Sequence, residues 1–281
     1  MSKIAIDDLR EGMISNQTIC NERGTILVAQ GVSLTTSNIK RLRTLNITIV
    51  DIKDDESIDS CSVLTPTTQK AISSIKGLSD SLFDLKTVNI KNNIAAIEEV
   101  MHSVLDRPFI QEFLETCSNN ELLYQHSLRT AILSTNMGII KGYDTLNLTQ
   151  LATSAILHDC GMGEEFNEDE EHAFLGFIKL REKADVDMTI ALVCLQHHER
   201  YNGNGFPFAF VRTQISEFAS LLAVVDHYDR LIMKKYDPRK ALFETVGQKN
   251  THFDPIMIDL FASTIDWPRI YNIHSSFPSA L

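Results

Sequence analysis

The 281-residue sequence has few residues that break or cross-link a chain: seven prolines, twelve glycines and five cysteines. The cysteines are odd in number and form no CxxC pair, which favours reduced, packed thiols over a disulfide framework or a thiolate zinc site. They are Cys20, Cys61, Cys117, Cys160 and Cys194. We therefore assign them no chemistry and look for function among other side chains.

Positive charge is also scarce, because 26 Lys and Arg residues face 37 Asp and Glu residues, for a formal net charge of −11. This balance argues against a DNA or RNA polymer as partner. No apolar run approaches the roughly 18 residues of a membrane span. Residues 1–13 carry charges throughout and lack the apolar core of a secretory signal. We therefore expect a cytoplasmic protein without a membrane span.

The first 53 residues alternate short β-favouring runs with turn signals such as Gly24 and Gly31. The runs 25–28 and 47–50 predict strands, and apolar spacing over 34–45 predicts a short helix between them. Residues 54–75 begin with an acidic, Ser- and Thr-rich stretch that is typical of a linker. The sequence thus predicts a small mixed α/β domain at 1–53, a linker at 54–75 and a second domain at 76–281.

Beyond residue 75 the apolar periodicity is helical and strand signals are nearly absent. Gly142 resembles a helix C-cap, and Asp237-Pro238 and Asp254-Pro255 resemble helix starts. We expect a mainly α protein whose larger domain is a helical bundle. The predicted helices cover 76–104, 108–117, 119–141, 148–159, 170–183, 186–199, 216–233, 238–248 and 254–264.

Histidine is concentrated in the middle of this helical region. Five of the nine histidines lie between positions 126 and 198, and two carboxylates accompany them. Each lies on or at the end of a predicted helix with an apolar face, so all of them can point into one bundle interior, where bundles build metal sites. The set is His126, His158, Asp159, His172, His197, His198 and Asp226.

Adjacent residues on a helix diverge by about 100°, so a doublet such as His158-Asp159 suits two neighbouring ions better than one. A shared carboxylate from Asp159 would then bridge the ions. Nitrogen and oxygen ligands without thiolates favour iron, manganese or zinc over calcium and magnesium. For any of these histidines taken alone, a packing or surface role is the commoner one, and Asp226 is equally compatible with a helix surface.

In order along the chain, the motifs resemble the HD-GYP family of the HD superfamily of metal-dependent phosphohydrolases. The resemblance covers about residues 90–265. Its most specific part is the segment His197-His198-Glu199 followed by Gly203-Asn204-Gly205-Phe206-Pro207. The other matching segments are 125–129, 158–162, 171–176, 225–229 and 253–255.

This resemblance implies an HD-type helical domain that hydrolyses cyclic di-GMP, with the seven residues above as metal ligands. It implies two transition-metal ions, iron first and manganese or zinc as alternatives, because Leu122 stands where trinuclear members have a glutamate. Asp159 and His158 would be catalytic, since a hydroxide bridging the two ions would attack phosphorus in line. Substrate would contact Arg129, Gly205, Phe206, Pro207 and Lys235, although a salt bridge for Arg129 and a solvated helix end for Lys235 remain alternatives.

Two departures from the family signature keep other functions open. Met162 replaces the lysine of the HDxGK motif, and Phe206 replaces the tyrosine of GYP. A catalytically weak receptor for cyclic di-GMP is one alternative, and an HD-type hydrolase of another nucleotide is a second. By analogy alone, residues 1–53 would be regulatory, through a homodimer or a signalling partner protein.

Overall fold

The computed structural model of the chain describes residues 2–10, 12–20, 26–28, 34, 36–45, 47–52, 65–84, 88–162 and 171–267. Residue contacts divide the chain into two compact units, Met1–Val63 and Leu64–Leu281. The domain bounds predicted from the sequence, at 53 and 76, stay a prediction. Gly24, Thr25 and Gly31, the first half of the predicted linker (54–64) and the tail from residue 268 lie outside the described residues.

The N-terminal unit contains two antiparallel strand pairs and one helix. Strand β1 (Ser2–Ala5) pairs with β4 (Ile49–Ile52), and β2 (Ile19–Cys20) pairs with β3 (Ile26–Val28). A 3-10 turn (Ile6–Asp8) follows β1, and helix α1 (Thr36–Thr44) precedes β4. Its core is formed by buried aliphatic side chains: Leu9, Ile19, Val28, Leu34, Ile39, Leu42, Val50 and Ile52. The predicted mixed α/β character of this region is confirmed.

The described part of the larger unit is helical. Its helices are α2 (Pro66–Asp84), α3 (Ile94–Leu105), α4 (Pro108–Thr116), α5 (Glu121–Lys141), α6 (Thr145–Leu157), α7 (Glu171–Arg181), α8 (Met188–Gln196), α9 (Glu217–Met233), α10 (Pro238–Gly247) and α11 (Pro255–Ser263). Short 3-10 turns cover Lys91–Asn93, Cys117–Asn119 and Arg212–Gln214. The predicted fold class, mainly α with a helical larger domain, is confirmed.

Local signals in the sequence explain most helix ends. The side chains of Asn120, Asp144, Asp187 and Ser216 accept hydrogen bonds from backbone N–H groups in the first turns of α5, α6, α8 and α9. Helices α10 and α11 begin at Asp-Pro pairs, and Gly142 ends α5 in the left-handed region at φ 85°. These three boundary predictions are confirmed.

The single helix predicted over 76–104 is wrong. The structure has α2, which begins at Pro66 inside the predicted linker, and a separate α3 from Ile94. Between them, Val88 and Ile90 are buried on either side of an exposed Asn89, and Val88 forms a β-bridge with Ile265. This alternation has the period of a strand, and the residue that pairs with Val88 is distant in sequence. Helical periodicity alone therefore predicted a helix in the wrong place.

Helix α5 lies at the centre of the bundle and packs against α2, α3, α6, α9 and α11. Small polar residues such as Ser127, Thr130 and Ser134 are fully buried along it and allow neighbouring helices to approach closely. The hydroxyl of Thr130 donates a hydrogen bond to the carbonyl oxygen of His126, one helical turn earlier. The described helices include none with the length and apolarity to cross a lipid bilayer.

Candidate metal centre

The seven predicted ligands come from five helices that surround one point of the bundle. His126 is on α5, His172 is in the first turn of α7, and Asp226 is in the middle of α9. The His158-Asp159 and His197-His198 doublets follow the last residues of α6 and α8. All seven side chains are at most 4% exposed. The structure therefore brings every one of them together in the interior.

Their ligand atoms form two groups that share Asp159. Cluster A consists of Asp159, His172, His197 and His198, and cluster B of His126, His158, Asp159 and Asp226. Within each cluster the candidate ligand atoms all lie within 4.8 Å of one another, so each could hold a metal ion. Asp159 contributes Oδ1 to cluster A, 3.4 Å from the Nε2 atoms of His172 and His197. Its Oδ2 faces cluster B, 3.2 Å from His158 Nε2.

The two doublets, predicted to suit two neighbouring ions better than one, meet the clusters in different ways. His158 belongs to cluster B, and Asp159 offers one oxygen to each cluster, as expected for a doublet beside two ions. His197 and His198 both belong to cluster A. Both doublets lie in turns immediately after their helices end at Leu157 and Gln196.

Hydrogen bonds at the outer ring nitrogens of His158 and His197 fix which nitrogen of these two imidazoles faces the centre. His158 Nδ1 lies 2.8 Å from the carbonyl oxygen of Ala155, and His197 Nδ1 lies 2.6 Å from that of Cys194. A carbonyl oxygen only accepts, so each Nδ1 donates, and Nε2 carries the lone pair in the neutral ring. These pairs orient the inward lone pairs as metal ligands require.

His126 is oriented by a carboxylate instead of a carbonyl. Its Nδ1 donates to Oδ2 of Asp229 at 2.6 Å, and Asp229 also accepts two hydrogen bonds from Arg129, at 2.6 and 2.9 Å. Arg129 was predicted as a substrate contact with a salt bridge as the alternative; the structure shows a salt bridge to Asp229, and the substrate contact stays a prediction. Asp229 was missed by the sequence reasoning, although its position three residues after Asp226 places it on the same helix face.

A second missed residue, Arg230, lies among the cluster B carboxylates. Its Nε donates to Oδ1 of Asp226 at 2.6 Å, and its Nη2 donates to Oδ2 of Asp159 at 2.8 Å. The signal that could have found it is the i,i+4 spacing from Asp226, which brings the two side chains together on α9.

The electrostatics of the centre keep its carboxylates ionised and shift the pKa values of His158 and His197 in opposite directions. Burial acts to raise the pKa of Asp159, but His158 and Arg230 outweigh it and hold that pKa well below its usual range. Burial lowers the pKa of His197 to about 4, which leaves its imidazole neutral near pH 7. Burial also opposes protonation of His158, but Asp159 and Asp226 raise its pKa to about 10. An ion at His158 therefore competes with a proton.

The donor set fits transition-metal ions. Oδ1 of Asp159 is buried and accepts no hydrogen bond in the described part of the chain. Three imidazole pairs also approach closely through Nε2 among the described residues, at 3.1 Å for His172 and His198, 3.2 Å for His126 and His158 and 3.3 Å for His172 and His197. Lone pairs and an unpartnered carboxylate oxygen that converge in a buried space suit a cation. Imidazole and carboxylate ligands match iron, manganese or zinc.

Two glycines set the position of helix α7, which carries His172. A Cβ on Gly161 would lie 1.9 Å from the carbonyl oxygen of His172 and 2.4 Å from the backbone nitrogen of Gly176. A Cβ on Gly176 would in turn lie 2.4 Å from Sγ of Cys194. Only glycine lets these backbones approach, so both residues help bring His172 to cluster A.

The loop from Glu199 to Phe210 lies beside cluster A. The buried carboxylate of Glu199 accepts hydrogen bonds from the backbone N–H groups of Phe208 and Phe210, at 2.8 and 2.9 Å. Phe206 stacks on His198 with ring centroids 4.6 Å apart. A Cβ on Gly205 would lie 2.5 Å from the carbonyl oxygen of His198, so this glycine is required for the loop to approach the doublet.

The remaining predicted site residues differ in their surroundings. Gly205, Phe206 and Pro207 are partly exposed next to cluster A, where a ligand can reach them. Lys235 is exposed in the turn after α9 at φ 60°, as expected for the solvated helix end that was its alternative. Met162 is only 7% exposed and belongs to the hydrophobic core. Residues 163–170, between Met162 and helix α7, lie outside the described residues.

Comparison with known proteins agrees with this geometry. Residues 123–231 match the HD domain family, and this range contains all seven predicted ligands. The chain is 26% identical over 190 residues to "Cyclic di-GMP phosphodiesterase PA4108" of Pseudomonas aeruginosa, covering 60% of this chain and 46% of that protein. It is 28% identical over 176 residues to a "Probable cyclic di-GMP phosphodiesterase" of Vibrio cholerae, covering 51% and 39%. The chain thus spans less than half the length of these curated relatives.

Among solved structures, Bd1817, an HDG"Y"P protein from Bdellovibrio bacteriovorus, is similar over 93% of this chain and 98% of its own, with 16% identity and a TM-score of 0.48. Residues 123–231 match the HD domain family, and the resemblance to the HD-GYP family that the sequence motifs predicted is confirmed by this match and by the curated relatives.

Proposed function

We propose that this protein is a metal-dependent phosphodiesterase that hydrolyses cyclic di-GMP. The observation that supports this most strongly is the shared position of Asp159, whose two carboxylate oxygens face two separate groups of buried imidazoles. One carboxylate between two ion positions is the arrangement expected of a two-metal hydrolase. The curated relatives named as cyclic di-GMP phosphodiesterases support the choice of substrate.

The proposed ligands are Asp159, His172, His197 and His198 for one ion and His126, His158, Asp159 and Asp226 for the other. Iron is the first choice of metal, with manganese or zinc as alternatives. When bound, two such ions would polarise the phosphate oxygens of the substrate and make water a nucleophile near neutral pH.

The chain's own residues would position the substrate and the ions. Asp159 and His158 hold the reacting centre, and buried carbonyl groups keep the histidine rings in fixed orientations. Phe206, partly exposed and already stacked on His198, offers an aromatic edge or face to a nucleobase. Gly205 and Pro207 shape the same edge, while Lys235 would supply positive charge from the end of α9.

The direct test is turnover by purified protein loaded anaerobically with iron or manganese. We expect cyclic di-GMP to be converted to a linear dinucleotide or GMP, and Asp159→Asn to lower kcat by at least about 100-fold because both clusters lose a charged ligand. Glu182→Gln, which alters an exposed carboxylate outside both clusters, is the matched control. A panel of other cyclic dinucleotides and nucleoside phosphates tests the substrate, and faster turnover of one of them would replace cyclic di-GMP in the proposal.

A receptor function is the second candidate, and the surroundings of Met162 favour it. Where the family signature has a lysine, this chain has a buried apolar side chain that offers no positive charge to a phosphate. A protein of this kind would bind cyclic di-GMP without turnover and signal through its N-terminal unit to a partner protein or a second copy. Tight binding measured by calorimetry, with no product from metal-loaded protein, would establish this function and exclude the enzyme.

A further inference from the structure

Arg230 brings a permanent positive charge into the candidate metal centre. Its side chain is 8% exposed and makes two charged hydrogen bonds, to Oδ1 of Asp226 and Oδ2 of Asp159. Arginine remains protonated at any physiological pH. The guanidinium therefore neutralises part of the negative charge that would otherwise attract a metal ion.

The two oxygens that Arg230 binds are those nearest the imidazoles of cluster B. Oδ1 of Asp226 lies 3.1 Å from His126 Nε2, and Oδ2 of Asp159 lies 3.2 Å from His158 Nε2. An ion bound by these four side chains would need the same carboxylate lone pairs that now accept hydrogen bonds from Arg230. It would also lie next to a like charge, which costs free energy in a buried site.

Cluster A differs at the corresponding atom. Its carboxylate oxygen, Oδ1 of Asp159, is buried and accepts no hydrogen bond within the described residues. An ion in cluster A would therefore displace no donor from that oxygen and would give it a partner. The shared carboxylate thus presents one oxygen already bound to a cationic group and one oxygen that accepts no hydrogen bond among the described residues, with the Nε2 atoms of His172 and His197 3.4 Å away.

We propose that Arg230 is the resident cation of cluster B, so that the centre binds its first transition-metal ion in cluster A and a second only by displacing the guanidinium. Arg230 then sets the metal concentration at which the centre becomes dinuclear. This inference depends on the proposed function for the identity of the ligand, a divalent transition-metal ion, but it concerns the order and strength of ion binding.

Losing two charge-assisted hydrogen bonds in a buried site is expected to weaken the second binding step by on the order of 100-fold relative to the first. Arg230→Ala removes the competing charge. The variant should raise the affinity of the second binding step to nearly that of the first, and the affinity of the first step should stay nearly unchanged.

The experiment is a titration of the metal-stripped full chain with Mn²⁺, followed by calorimetry and by equilibrium dialysis with elemental analysis. Wild type should show two steps separated by on the order of 100-fold, and Arg230→Ala two steps of similar affinity. Arg181→Ala, an exposed arginine at the end of α7, serves as the control and should behave as wild type. Electron paramagnetic resonance of the manganese protein adds a readout independent of activity, since coupled ion pairs should appear at lower metal concentration in Arg230→Ala.

The outcomes separate this inference from the proposed function. Two equally tight ions in wild type, or an unchanged second step in Arg230→Ala, would overturn the role of Arg230 while leaving a dinuclear enzyme intact. No ion bound by either protein would instead remove the metal centre and the proposed function with it. If Arg230→Ala does not fold without metal, the wild-type titration still tests the role of Arg230, because two equally tight ions in wild type would contradict that role.

Discussion

The Nδ1 atom of His126 lies 2.6 Å from Oδ2 of Asp229, and both side chains are buried. This contact joins the central helix α5 to α9 and orients the inward Nε2 atom of His126 towards cluster B. A carboxylate behind a ligating histidine fixes its ring and raises its basicity. Asp229 would therefore act on an ion in cluster B through His126 without touching the ion.

Asp229→Asn should weaken ion binding at cluster B by about 10- to 100-fold, because asparagine can still accept a hydrogen bond but lacks the charge. Binding at cluster A should not change, since none of its ligands contacts Asp229 among the interactions given by the structure. Equilibrium dialysis with Mn²⁺ measures both steps. Arg129→Gln, which leaves the His126 contact in place, should have a smaller effect, and an equal loss in the two variants would contradict this role for Asp229.

Glu199 is expected to act as a positioning residue for the loop beside cluster A. Glu199→Gln replaces one of the two acceptors for Phe208 and Phe210 with an NH₂ group, so the loop loses one hydrogen bond and shifts. We expect KM to rise by roughly 10-fold with little change in kcat or in metal content, because the imidazoles keep their places.

The measurement for Glu199→Gln is steady-state kinetics with cyclic di-GMP, together with elemental analysis of the same sample. Glu244→Gln, at an exposed position on α10, is the matched control. A fall in bound metal with unchanged KM would show instead that Glu199 supports the ligands themselves.

Gly161→Ala should destabilise the fold and disturb cluster A together. The added Cβ would meet the backbone of His172 and Gly176 at distances that force one of the two segments to move. We expect a loss of about 2–4 kcal/mol in the free energy of unfolding, measured with denaturant. The same chemical change at Gly77, where nothing lies within 4 Å, should instead stabilise α2 by up to about 1 kcal/mol.

Restoring the family lysine by Met162→Lys should lower stability and should not raise activity. Met162 is packed in the hydrophobic core, so the new ammonium group would lose water without gaining a partner. We expect a loss of about 2–3 kcal/mol in the free energy of unfolding. Met162→Leu, which keeps the apolar character and nearly the volume, should cost under about 1.5 kcal/mol. Higher turnover by the lysine variant would show that the side chain reaches the substrate after all.

The sequence alone determined the helical fold class, most helix boundaries and the seven candidate ligands. Periodicity, Asp-Pro starts and the Gly142 end are local signals, so no partner in space is needed to read them. The ligands could be found because histidine and carboxylate doublets in otherwise apolar helices are unusual and match a family signature. The break between α2 and α3 was missed because Val88 is held by Ile265, a residue remote in sequence.

Only the tertiary structure decided how these residues work together. It showed that Asp159 divides its two oxygens between two groups, and that His197 and His198 both belong to one of them. It also placed Arg129 behind the site, Met162 in the core and Arg230 between two carboxylates. Spacing along a chain fixes which face of a helix a side chain occupies and which neighbours on that helix it can meet. Contacts such as Arg230 with Asp159, or Asp229 with His126, join different elements, and only helix packing brings those charges together.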